Sequence, residues 1–134
     1  MEYTYINPKS LFNSTQYGFS QMVVSNASAK LFYTSGQVAI DAEEKIVAND
    51  LAGQTREVLL NLIAALNEAG GNLKDIMMLR IYFVNKGDFK NEEIGIVLRE
   101  FFGTENPPAS SWIGVHSLAR PEFLIEIEAS GVLS

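Results

Sequence analysis

The sequence holds no cysteine and a single histidine, His116, which leaves carboxylates, hydroxyls, amines and guanidinium groups as the other side chains able to do chemistry. Without thiols there is no thiolate nucleophile, no disulfide framework and no zinc–thiolate cluster. His116 alone would need an all-carboxylate set to hold a transition metal, and no spacing supplies one. It reads as a loop hydrogen-bonding residue near a strand end. The acids that stand out are Glu126 and Glu128, which alternate with Ile125 and Ile127. In an extended strand that alternation sends both carboxylates to one face and both isoleucines to the other. Pattern alone reads such a pair as a solvated strand face, since Glu is mostly exposed. Arg80 lies inside the apolar run from Asp75 to Asn85, where an unpaired charge is costly to bury. It reads as a structural partner of Glu126 or Glu128, ahead of a role in gripping a ligand. Arg120, beside Pro121, reads as a solvated loop charge, with an anion clamp as the second option.

The elements that must position these groups follow from periodicity. Gln21 to Asn26 and Lys30 to Gly36 are rich in β-branched and aromatic residues around a short polar linker, and predict a hairpin. Asp41 to Lys45 is a polar turn, after which Asn49 or Asp50 can cap a helix. Leu51, Thr55, Val58, Leu59, Leu62, Ile63, Leu66 and Ala69 then recur at helical spacing, and Gly70-Gly71 permits the left-handed turn that ends the helix. The run from Asp75 to Asn85 is apolar on both alternating faces, so its second face must also be covered. A second helix is predicted from Phe89 to Phe102, closed by Gly103, with Gly95 as its weak point. Two strands, Ala109 to His116 and Phe123 to Leu133, finish the chain. The order is β-β-β-α-β-α-β-β.

With 134 residues, of which 47% are apolar, the chain suits one α+β domain spanning residues 1–134. Two helices cover one face of such a sheet. The other would display Met78, Tyr82 and Trp112, more apolar surface than a soluble monomer usually leaves in water, which predicts an oligomer. The net charge of -6 with scattered cations disfavours a nucleic-acid partner. No basic leader precedes an apolar run at the N-terminus, and no stretch approaches the ~20 apolar residues of a membrane span, so the expected location is the cytoplasm.

Several segments, taken together, resemble the reactive intermediate deaminase (Rid, or YjgF) family. They are Tyr17-Gly-Phe-Ser-Gln21, Thr34-Ser-Gly-Gln37, Gln54-Thr-Arg56, Leu62 through Gly71 with Leu73-Lys-Asp-Ile76, Phe101-Phe-Gly103, Pro108-Ala-Ser-Ser111 and Ile125-Glu-Ile-Glu-Ala129. The resemblance implies a chorismate-mutase-like mixed sheet with two helices on one face, assembled as a homotrimer whose sheets close a barrel. It also implies ligand clefts between subunits and no cofactor. Family deaminases hydrolyse small enamines and imines, such as 2-aminoacrylate released by pyridoxal-phosphate enzymes, to the keto acid and ammonia.

In the family, an arginine after the Pro-Ala pair grips the substrate carboxylate, and the first glutamate of the Ile-Glu-Ile-Glu strand handles the proton. Carried onto this chain, those positions are Ser110 and Glu126. A serine hydroxyl donates one neutral hydrogen bond of about 0.5–1.5 kcal/mol, where a charged partner gives about 1.5–3 kcal/mol, so carboxylate recognition is expected to be weakened. Trp112 replaces a small residue on the same side of the strand as Ser110 and either narrows the cleft or lines it. Phe19 replaces the usual tyrosine, Gly95 stands near an asparagine position, and the Ser35-Gly36 turn is retained. The implied cleft thus comprises Phe19, Ser35, Gly36, Ser110, Trp112 and Glu126.

Two functions stand against each other here. One is hydrolysis of an imine, enamine or related C–N bond, with Glu126 as acid/base. The other is a non-catalytic ligand-binding or protein-interaction trimer, which loss of the arginine favours and retention of Glu126 opposes. RNA cleavage is a third reading, disfavoured by the acidic balance and the lack of a basic-aromatic strip.

Overall fold

The computed structural model describes residues 3–88 and 91–134. Six strands and two helices follow the predicted order: β1 (Tyr3–Ile6), β2 (Met22–Ser25), β3 (Lys30–Thr34), α1 (Leu51–Glu68), β4 (Ile76–Val84), α2 (Glu92–Phe102), β5 (Ala109–Val115) and β6 (Ile125–Leu133). They form one sheet in the order β1-β2-β3-β6-β4-β5. All neighbours are antiparallel except β4 and β5, which run parallel across the α2 connection and make the sheet mixed.

Local chemistry fixes the helix ends. The Asp50 carboxylate accepts the Gly53 N–H at 2.6 Å, satisfying one of the free donors of the first turn of α1. At the other end Gly70 takes a φ of +79°, and the Gly71 N–H returns to the Leu66 carbonyl at 2.8 Å. Of the expected stripe, Thr55, Val58, Leu59, Leu62 and Leu66 are buried, whereas Leu51, Ile63 and Ala69 are only half-buried. Gln54 is also buried. Its amide donates to the carbonyls of Ala48 (3.1 Å) and Glu122 (2.8 Å) and accepts the Leu124 N–H (2.9 Å), tying the start of α1 to the entry of β6. The second helix begins at Glu92, and the predicted start at Phe89 lies outside the described residues.

Both helices pack on one face of the sheet. Val58, Leu59, Leu62 and Leu66 of α1 and Ile94 and Val97 of α2 meet Leu79, Ile81, Phe83, Ile125, Ile127 and Ala129 in one buried cluster. Each of the larger of these side chains contributes about 1.5–3 kcal/mol by leaving water. The opposite face carries Arg80 and Tyr82 of β4 beside Glu128 and Glu126 of β6, and leaves Tyr33 64% and Ile113 40% exposed.

Trp112 does not share that open face, contrary to the sequence expectation. The parallel register pairs Leu79 with Ser110 and Ile81 with Trp112. Paired residues of neighbouring strands point the same way, so Ser110 and Trp112 both face the helix side, and Ile113 takes the place beside Tyr82.

Candidate functional site

A turn and a strand bring Gly36 and Glu126 together. The N–H and carbonyl of Gln37 exchange hydrogen bonds with Ile127 at 2.8 and 3.1 Å, laying the Ser35-Gly36-Gln37 turn on β6. Beneath it the buried Gln37 amide donates to the Gln21 side chain at 2.6 Å, and Gln21 in turn donates to the Phe12 carbonyl at 3.0 Å. Ser35 is fixed by its hydroxyl, which donates to the Ser20 carbonyl at 2.6 Å, and by its N–H, which donates to the Gln21 carbonyl at 2.9 Å. A Cβ on Gly36 would collide with the Glu126 carboxylate, whose Cδ would lie only 2.7 Å away. Glycine is therefore what lets this carboxylate lie against the turn.

These residues open into a cleft of about 690 Å³ lined by Phe12, Tyr17, Phe19, Ser35, Gly36, Glu44, Arg120, Phe123, Glu126 and Glu128, among others. Phe12 meets Phe19 edge-on at 6.1 Å and Tyr17 at 6.4 Å, making an aromatic wall. Glu44 fastens three segments at the rim. Its carboxylate accepts the Tyr17 hydroxyl at 2.6 Å and the Gln16 amide at 3.3 Å, and its carbonyl accepts Arg120 Nη1 at 3.1 Å. Glu44 is the non-glycine residue of the described chain with positive φ (61°), a conformation held by the Asp41 carboxylate, which accepts the N–H groups of Glu43 and Lys45 at 2.9 Å each. Arg120 is thus not the solvated loop charge expected from its place beside Pro121. It is half-buried over the Phe123 ring at 5.2 Å and lines the cleft.

The two strand carboxylates differ in their partners. Glu128 accepts the Tyr82 hydroxyl at 3.2 Å and pairs at 3.5 Å with the exposed Arg80, one of the two partners the sequence offered for that arginine. Glu126 is half-buried and has no hydrogen bond or ion pair among the described residues. Burial, and then the neighbouring Glu128 charge, raise its pKa above the ordinary carboxylate value. The Tyr17 phenol is also raised, first by its bond to Glu44, and stays a protonated donor.

Ser110 and Trp112 lie elsewhere. They line a separate pocket of about 350 Å³ between α2 and β5, with Leu79, Gly95, Leu98, Arg99 and Phe102. The indole N–H of Trp112 donates to Ser110 Oγ at 3.1 Å. A Cβ on Gly95 would stand in ordinary van der Waals contact with Cη2 of Trp112 and Nη1 of Arg99, each at 3.4 Å, which puts both side chains beside this turn of α2. Within one copy, then, Phe19, Ser35, Gly36 and Glu126 meet, and Ser110 and Trp112 stand apart from them. His116 is exposed past the end of β5 and makes no side-chain hydrogen bond among the described residues, contrary to the expected loop role. Among the described residues no group of three His, Cys, Asp or Glu could hold a metal ion, and no helix is long and apolar enough to cross a membrane.

Sequence reasoning did not single out Glu44 or Arg99, and it quoted Gln21 and Gln37 only inside the family-like segments, with no role for their side chains. The only advance signal for Arg99 was its spacing of four from Gly95, which puts the two on one side of a helix turn.

Comparison with known proteins places this geometry among relatives. The family model described as Endoribonuclease L-PSP matches residues 13–133. A RutC family protein of Pyrococcus abyssi is 37% identical over 72% of this chain and 74% of its own length. The 3-aminoacrylate deaminase RutC of Acinetobacter baylyi is 34% identical over 78% of this chain and 81% of its own. Among solved structures, a Rid-family protein of unknown function from Yersinia pestis superimposes with a TM-score of 0.85 at 27% identity, covering 98% of this chain and all of the other.

Proposed function

The chain belongs to the Rid family, also called YjgF or endoribonuclease L-PSP, and on that premise we propose that it binds a small imine or enamine beside Glu126 and hydrolyses its C–N bond. In the balanced reaction an enamine tautomerises to the imine, water adds to the C=N carbon, and the tetrahedral adduct expels ammonia to leave a carbonyl compound. Glu126 takes the proton from the attacking water and returns it to the departing nitrogen. The observation that carries this reading is the state of Glu126: half-buried, unpaired among the described residues and raised in pKa, against a glycine whose Cβ would strike the carboxylate. A carboxylate whose pKa is lifted toward neutrality exchanges protons more readily in both directions than an ordinary one. The name of the Acinetobacter relative, an aminoacrylate deaminase, adds support for this bond type.

Phe19 forms one wall, and Ser35 and Gly36 frame the carboxylate. Ser110 and Trp112 complete the cleft from a neighbouring copy, since they line a different pocket of their own chain. We place the copies in a homotrimer that covers the open sheet face bearing Tyr33 and Ile113. The experiment is ammonia release from freshly generated 2-aminoacrylate, with sedimentation at micromolar concentration alongside. Turnover lost in Glu126→Gln and a trimer mass support the proposal. Undiminished turnover in that variant, or a stable single-copy species, overturns it.

A second reading, a binder without turnover, is favoured by the Ser110 hydroxyl, which is engaged by an indole where the family has a guanidinium. It predicts a ligand that raises the melting temperature and is recovered chemically unchanged.

A further inference from the structure

The four arginines divide by what holds them. Arg56 donates twice to Glu100, at 3.1 and 2.9 Å, and Arg80 pairs with Glu128 at 3.5 Å. Arg120 is bonded to the Glu44 carbonyl at 3.1 Å, lies over Phe123 and approaches Glu122 at 3.7 Å. Arg99 alone of the four has no hydrogen bond or ion pair among the described residues.

The Arg99 side chain is folded back along α2, with Nη1 3.4 Å from where a Gly95 Cβ would stand, and it lines the pocket of Ser110 and Trp112. In that pocket Ser110 Oγ is the acceptor for the indole N–H at 3.1 Å, which leaves its own O–H to donate. No Asp or Glu lines the pocket, whose remaining walls include Leu79, Leu98 and Phe102. A guanidinium and a hydroxyl donor in a largely apolar recess without a competing carboxylate suit a small carboxylate, which a guanidinium holds through two parallel hydrogen bonds.

We propose that Arg99, together with the Ser110 hydroxyl, binds the carboxylate of the ligand, so that the anion-gripping group of this protein stands on α2 and not at position 110. The inference rests on the two-copy cleft proposed above.

The test is calorimetric titration of the intact protein with 2-oxobutanoate, a stable keto acid, and with 2-butanone, which keeps the carbonyl and lacks the carboxylate. Wild type is expected to bind the keto acid at least about tenfold more tightly than the ketone, and Arg99→Gln to lose that preference. Arg99→Lys, which keeps the charge and loses the fork, should retain part of it, and because Arg99 is exposed both variants should keep the wild-type melting temperature. Arg99→Gln binding the keto acid as tightly as wild type, or wild type failing to prefer it, overturns the inference. Glu126→Gln separates the two proposals. It should bind the keto acid no more weakly than wild type while losing ammonia release; if it keeps full turnover, the catalytic reading fails while a lost preference in Arg99→Gln still supports Arg99.

Discussion

The cleft at the start of β6 and the pocket between α2 and β5 are both lined by aromatic rings and a glycine, yet their charges are opposite in character. The first gathers Glu44, Glu126 and Glu128 around one guanidinium that is already committed to a carbonyl and a ring. The second has, among the described residues, an unpaired guanidinium and a hydroxyl and no acid. Carboxylate-rich surroundings move protons and repel an anionic ligand; donor-rich surroundings hold an anion and cannot accept a proton from water. On the proposed reading, binding and chemistry are separated on one protomer, and a ligand spanning both needs two copies.

The sharpest test of that division is Glu126→Gln, which should lower turnover by about 10²–10⁴-fold in a steady-state ammonia assay. A comparable loss of keto-acid affinity would erase the division of labour. Next is Gly36→Ala, whose new methyl must displace the Glu126 carboxylate; kcat should fall by about tenfold or more with binding little changed. The pH profile follows from the raised Glu126 pKa. As a base, Glu126 should make kcat rise with pH through a value above that of an ordinary glutamate. Stability runs the other way, because a fold that raises a carboxylate pKa favours its protonated form. The contribution is fully present below the unfolded pKa and is lost as pH rises through the folded one. Glu126→Gln should therefore melt at a higher temperature than wild type at neutral pH. The smallest effect is expected for Trp112→Phe, which removes the hydrogen bond to Ser110 and should weaken keto-acid binding by about 0.5–1.5 kcal/mol.

Much of the frame was legible in the sequence. The apolar spacing of α1, its Asp50 cap and the Gly70 turn are local features with local causes, and local periodicity reports them. The Ser110–Trp112 pair was legible only in part. A spacing of two puts both on one side of a strand, but which side depends on the register of β5 against β4, and nothing within β5 encodes that. The resulting error put Trp112 on the open face. Arg120 was misjudged for a similar reason, because its partners Glu44 and Phe123 come from other parts of the chain or from a turn that reverses direction. Glu126 looks the same as Glu128 in the strand pattern. What separates them is that Arg80 and Tyr82 reach one and not the other.

The amide pair of Gln21 and Gln37 beneath the Ser35-Gly36 turn bears on how any titration should be interpreted. Neither side chain gains or loses a proton in water, so the floor under Glu126 keeps one hydrogen-bonding pattern from mild acid to mild base. An ionised pair in the same place would reorganise as it was neutralised and blur the curve. With this neutral foundation, the floor adds no inflection of its own to a curve of rate against pH.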